Sequence, residues 1–134
     1  MTKKLALHWR LIPQRYNLQG TRCKTCGGKY FPARKLCPRC RRSGEMEEIM
    51  FSGEGEIYSY TTVHVPPEGY EFLKPYVVAV IKLKEGPLVT AQLTDCKPEE
   101  VEIGKKVEAV FRKIIADGKD GIIRYGYKFR LVKK

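Results

Sequence analysis

The chain of 134 residues has no apolar run near the roughly 18 residues a membrane-spanning helix requires. Its longest such run, Tyr76–Ile81, is the length of one strand. Acidic residues are missing altogether from positions 1–44, which nevertheless hold twelve of the 26 lysines and arginines. Histidine occurs only at His8 and His64. The first absence argues against a helical membrane protein. The opening Met-Thr-Lys-Lys leads into an apolar stretch broken by His8 and Arg10, so it does not read as a secretory signal, and the chain is expected in the cytoplasm. Thiols stay reduced there, which favours metal over disulfides for paired cysteines. A hydrophobic content of 43% lies in the globular range and argues against a disordered chain.

Positions 45–134 hold fourteen basic and fifteen acidic residues, so the net charge of +11 resides wholly in the first third. A field of that sign attracts phosphate-bearing ligands or an acidic protein surface. The alternative is a small sub-domain whose charges simply face water.

Five cysteines are present, four of them as Cys23-Lys24-Thr25-Cys26 and Cys37-Pro38-Arg39-Cys40, ten residues apart. Each Cys-x-x-Cys turn aims two sulfurs at one point, and Gly27 after the first pair permits tight backbone geometry. Together they supply the four thiolates of a tetrahedral site. Four protein ligands leave no open position, so one structural Zn2+ is expected. Iron is the competing metal, which spacing does not exclude; four-cysteine ribbons of this kind usually hold zinc. Metal binding is coupled to folding in so small a unit, so loss of a ligand is expected to unfold the ribbon and spare the rest.

Three parts follow from composition. Residues 1–17 carry Leu5, Leu7, Trp9 and Leu11, and a short helix from about Lys3 to Leu11 is expected, stopped by Pro13. Trp9 and Tyr16 are too large for such a segment to bury alone. Residues 18–51 form the rubredoxin-like zinc ribbon. Residues 52–134 read as β structure: a strand of about ten residues around Ile57–His64, then Tyr76–Leu83, Leu88–Leu93, Val107–Phe111 and Ile122–Leu131, the last two joined by a polar loop over 117–121. Five strands without a long helix predict a five-stranded OB-fold barrel, with a turn in place of a helix within Lys97–Lys106. The fold class is therefore mainly β.

Several stretches together carry a resemblance: Trp9-Arg10, Tyr16-Asn17-Leu18, Gly20-Thr21-Arg22-Cys23, Tyr30-Phe31-Pro32-Ala33-Arg34, the two knuckles, Phe51-Ser52-Gly53-Glu54-Gly55, Pro75-Tyr76-Val77 and Ile103-Gly104. Over nearly its whole length the chain resembles the prokaryotic zinc-ribbon/OB-fold proteins associated with acyl-CoA metabolism, a family first defined as a domain of unknown function. The resemblance implies a non-catalytic partner of thiolase-type enzymes. In archaeal-type mevalonate synthesis such a protein bridges acetoacetyl-CoA thiolase and hydroxymethylglutaryl-CoA synthase and contributes to a shared CoA-binding channel. CoA carries a 3′-phosphate and a diphosphate, so Arg22, Lys24, Arg34 and Lys35, which flank or join the knuckles, are the candidate phosphate contacts.

Two rivals come from other classes. A ribbon, an OB-type barrel and a basic chain are also the outline of a single-strand nucleic-acid-binding protein, with Tyr58 and Tyr60 as stacking platforms on one strand face. The near-neutral barrel argues against it. An enzyme would use His64 or the unpaired Cys96, but no motif ties either to a nucleophile, base or carboxylate.

Overall fold

In the computed structural model, residues 5–116, 119 and 123–132 are described. Two short helices open the chain, α1 (Leu5–Arg10) and α2 (Ile12–Tyr16). α1 ends within one residue of the expected Leu11, but Pro13 does not end the helical structure. It sits in the first turn of α2, where no amide hydrogen is required, and Arg15 N–H closes that turn on the Leu11 carbonyl at 3.0 Å. The break falls instead at Leu11. Lys3, the expected start, lies outside the described residues.

Strands β1 (Gln19–Cys23), β2 (Lys29–Tyr30) and β3 (Met46–Met50) form an antiparallel sheet in the order β2-β1-β3, which carries the knuckles. Strands β4 (Glu54–Val63), β5 (Tyr76–Leu83), β6 (Leu88–Thr94), β7 (Lys106–Ala116) and β8 (Ile123–Leu131) close into a barrel in the order β4-β5-β6-β8-β7. This is the OB topology, closed by β4 against β7 at Gly55 and Val107. The connection before β7 holds only the single turn Pro98–Glu100. Of the expected loop over 117–121, all but Lys119 lies outside the described residues, as does Ile122.

Alternation sets the interior. Val77, Ala79, Ile81 and Leu83 face inward from β5, and Val89, Ala91 and Leu93 from β6. Phe129, Ile57, Val101 and Val107 join them, each of these four side chains contributing roughly 1.5–3 kcal/mol of burial. Leu18 and Phe51, which bracket the ribbon sheet, belong to this same cluster. Ribbon and barrel therefore share one apolar core.

Two irregularities shape the outer surface. The β4–β5 register shifts between Ile57 and Ser59, leaving Tyr58 as the extra residue and pairing Tyr60 with Ala79. The uninterrupted alternation expected of Tyr58 and Tyr60 is thus broken, and both rings are exposed. Secondly, the parallel β6–β8 pairing holds only Leu93↔Phe129 and Thr94↔Arg130. Towards their N-terminal ends the two strands diverge, and α1 and α2 lie across the opening.

Candidate metal centre and its surroundings

The first knuckle is a tight turn in which Gly27 N–H donates to the Cys23 carbonyl and Cys23 N–H to the Gly28 carbonyl, both at 2.8 Å. The second repeats it: Arg41 N–H donates to the Cys37 carbonyl, also at 2.8 Å. The residue after each second cysteine has a positive φ, +75° at Gly27 and +52° at Arg41. Glycine adopts this without cost, whereas the arginine bears about 1 kcal/mol of strain. Gly44 closes the site from β3's approach. A Cβ there would lie 2.8 Å from Cys40 Cβ and 3.0 Å from Cys37 Cβ. Sequence reasoning missed Gly44, because nothing local to it requires glycine.

The four Sγ atoms of Cys23, Cys26, Cys37 and Cys40 all lie within 4.8 Å of one another, and Cys26 and Cys37 are 3.6 Å apart. Zinc–sulfur bonds of about 2.3 Å give a tetrahedron with edges of about 3.8 Å, so the quartet fits one such ion. Its electrostatics fit as well. Backbone N–H groups, that of Cys40 foremost, pull the Cys37 thiol down to about 6, and the Cys26 N–H lowers Cys23. Burial, with its neighbouring sulfurs, pushes Cys40 up to about 12. Four thiolates this close repel one another and need a divalent cation among them. The Tyr30 hydroxyl stands 3.6 Å from Cys37 Sγ, placed to donate to it.

The four basic candidates separate into two kinds. Arg22 pairs with Glu47 across β1 and β3, and Lys24 lies 3.4 Å from Glu45 and 3.9 Å from Glu47. Arg34 lies over the Tyr30 ring at 5.5 Å, and neither it nor Lys35 has an ion pair among the described residues. His64 is exposed in the bend after β4. Cys96 is half-buried, and burial with the Glu100 and Asp95 charges pushes its thiol up, the opposite of an activated nucleophile.

Tyr16 and Trp9 have different surroundings. Tyr16 docks edge-on against Phe111, ring centroids 5.2 Å apart, and Phe111 stacks on Tyr125 at 5.4 Å. Trp9 remains 77% exposed and α1 buries none of its residues. Between α1–α2 and the diverging strands runs an apolar groove of about 520 Å³, bordered by Leu5, Trp9, Ile12 and Tyr125. No helix among the described residues is long and apolar enough to cross a membrane.

Two family models match in tandem, the ChsH2 rubredoxin-like zinc ribbon domain over residues 12–47 and the ChsH2 C-terminal OB-fold domain over residues 48–112. A DUF35 domain-containing scaffold protein of Methanocaldococcus jannaschii is 54% identical over 131 residues, spanning 98% of this chain and 93% of that one. The chain belongs to the DUF35 family. A further relative, benzoylsuccinyl-CoA thiolase subunit BbsA of Thauera aromatica, is 32% identical over 115 residues, 86% of this chain and 76% of that subunit. Among solved structures, the Ltp2-ChsH2(DUF35) aldolase superimposes with a TM-score of 0.69 at 30% identity, covering 98% of this chain and 96% of that one. For this DUF35 chain the relatives support an accessory scaffold role, and within its zinc-ribbon domain the quartet Cys23, Cys26, Cys37 and Cys40 is positioned to bind one metal ion.

Proposed function

We propose that this protein is a non-catalytic scaffold in the cytoplasm that bridges acetoacetyl-CoA thiolase and hydroxymethylglutaryl-CoA synthase in the mevalonate pathway, and lines part of a shared channel for acetoacetyl-CoA. The observation that carries the reading is α1, whose Leu5, Leu7 and Trp9 stay exposed beside an apolar groove. An uncovered apolar face of this kind marks a protein interface. A six-residue helix with nothing buried is too short to be stable by itself, so a partner surface would complete it. The thiolase-subunit relative supports the choice of partner.

The zinc holds the ribbon in shape, and its sulfurs leave no position for substrate. Arg34 and Lys35 are the foremost of the four phosphate candidates, because carboxylates already engage Arg22 and Lys24. Co-expression with a thiolase and a synthase, followed by size-exclusion chromatography, tests the reading. Co-elution of all three supports it, and a free monomer beside two free enzymes overturns it.

The exposed Tyr58 and Tyr60 favour a second reading, single-strand nucleic-acid binding. Tight binding to oligonucleotides with a steep salt dependence, and no retained enzyme, would select it.

A further inference from the structure

Strand β7 pairs with β4 only at Glu54–Glu56, whereas β5 pairs with β4 on to Val63. A loop closes the β7 side one residue further: Gly104 N–H donates to the Ile57 carbonyl at 2.8 Å, and Ile57 N–H to the Lys105 carbonyl at 2.9 Å. Beyond Ile57, among the described residues, no backbone hydrogen bond reaches β4 from that side. The bulge at Tyr58 accounts for this, because an extra residue bends the strand that carries it. Tyr60 shows the result. It stands opposite Ala79, whose side chain is buried in the core, and directly opposed residues share one face of a sheet. Tyr60 is nevertheless 41% exposed. The second half of β4 has turned out of the barrel wall.

An open edge presents alternate N–H and C=O groups without a neighbour, and proteins ordinarily guard it with charge, proline or shortness. The ribbon follows that rule: β2 has two residues, and β3 carries Glu47 and Glu48. The β4 edge does not. Ile57–Val63 reads Ile-Tyr-Ser-Tyr-Thr-Thr-Val, with neither charge nor proline, in a chain of which 31% is charged. Aromatic and β-branched residues suit a strand paired on both sides. Exposed apolar surface adjoins the edge at Tyr58 and at Ile103, the residue before Gly104.

We propose that the free edge of β4, from Ser59 to Val63, receives an extended segment of a partner enzyme as an added strand. This rests on the scaffold reading and names its second contact, since a bridge needs two faces and α1 supplies one. In the ring β4-β5-β6-β8-β7, β6 and β8 are the two strands that β4 does not touch. The opening between them, where α1 and α2 lie, is therefore across the barrel from β4, and each enzyme has its own side. Protein suits the edge better than nucleic acid, because the charges leading into it are those of Glu54 and Glu56, which repel phosphate. Main-chain hydrogen bonds hold such a segment, and the side chains beside the edge select it.

Amide hydrogen exchange, with and without the thiolase and synthase, tests it. Alternate amides from Ser59 to Val63 are expected to exchange freely in the protein alone and at least about tenfold more slowly in the complex. Tyr60→Pro and Thr61→Pro separate main chain from side chain. Successive amides point to opposite sides of a strand, so one variant loses a bond to β5 and melts lower. The other loses only a free-edge donor; it is expected to melt within about 3 °C of wild type and to bind one enzyme at least about tenfold more weakly. Trp9→Ala is expected to weaken the other enzyme instead. If neither proline variant folds, exchange of the wild-type amides decides. Amides that stay unprotected in an assembled complex, or loss of the same enzyme in Trp9→Ala and the folded proline variant, overturn the proposal and leave the scaffold reading standing. Protection that appears without enzyme as the protein is concentrated makes a second copy the occupant, and protection by an oligonucleotide makes it nucleic acid; either result overturns the proposal. If the wild type retains neither enzyme, the scaffold reading and this contact fall together.

Discussion

Phe31 of the ribbon stands edge-on to Tyr127 of the barrel, ring centroids 5.8 Å apart, and meets Phe51 in the same manner at 6.0 Å. These contacts join a metal-held sheet to a barrel, so the two parts unfold with knowledge of each other. Phe31→Ala is expected to cost about 2–3 kcal/mol, below a fully buried phenylalanine because the ring is half-exposed. Urea unfolding of the zinc-loaded protein measures it. An unchanged midpoint would mean that the ribbon contributes nothing to the barrel.

The same contact alters what loss of the metal should do. Cys37→Ser removes a fully buried ligand and is expected to release zinc and unfold the ribbon. The sequence-based expectation is that the barrel is spared. Leu18 and Phe51 lie in its core cluster, so the barrel is expected to survive with a melting temperature lowered by several degrees. Elemental analysis reads the zinc, and far-UV circular dichroism reads the surviving strands.

Gly44 is expected to be the least replaceable glycine of the metal centre. Its alanine variant drives a methyl group into Cys40 and Cys37, and zinc affinity should fall by at least about tenfold, judged by competition with a chelator. Gly27→Ala meets nothing within 4 Å and suffers only its positive φ, about 1 kcal/mol. Equal losses at the two positions would refute the steric account.

The Asp95–Arg112 ion pair, at 2.8 Å, is a strut between β7 and the residue that follows β6, and it carries a dependence on pH. The Arg112 guanidinium lowers the Asp95 pKa in the folded chain below the unfolded value of about 3.9. The strut's contribution is therefore complete above that value and is lost as pH falls through the lower, folded one. Both groups are partly exposed, so water screening keeps the contribution to about 0.5 kcal/mol. Asp95→Asn should reduce stability at pH 7 by that amount and leave it equal to wild type at the acid end. A difference that grows on acidification would reverse the assignment.

The sequence by itself determined which four cysteines gather at one point and the order of the strands. Both are local: a Cys-x-x-Cys turn fixes its own geometry, and alternation from Tyr76 to Leu83 fixes which side chains face inward, whatever lies beyond. Pro13 reads in the sequence as a helix stop, yet it opens α2, because a proline is as well suited to the first turn of a helix as to its end. The bulge at Tyr58 depends on the partner strand and left no mark in the alternation. Only the tertiary structure decided that Gly44 must lack a side chain, that Arg22 and Lys24 are already engaged by glutamates, and that Lys128 is covered while Trp9 is not. Each of these turns on residues far apart in the chain meeting in space, and burial and ion pairing are properties of that meeting rather than of any single stretch of sequence.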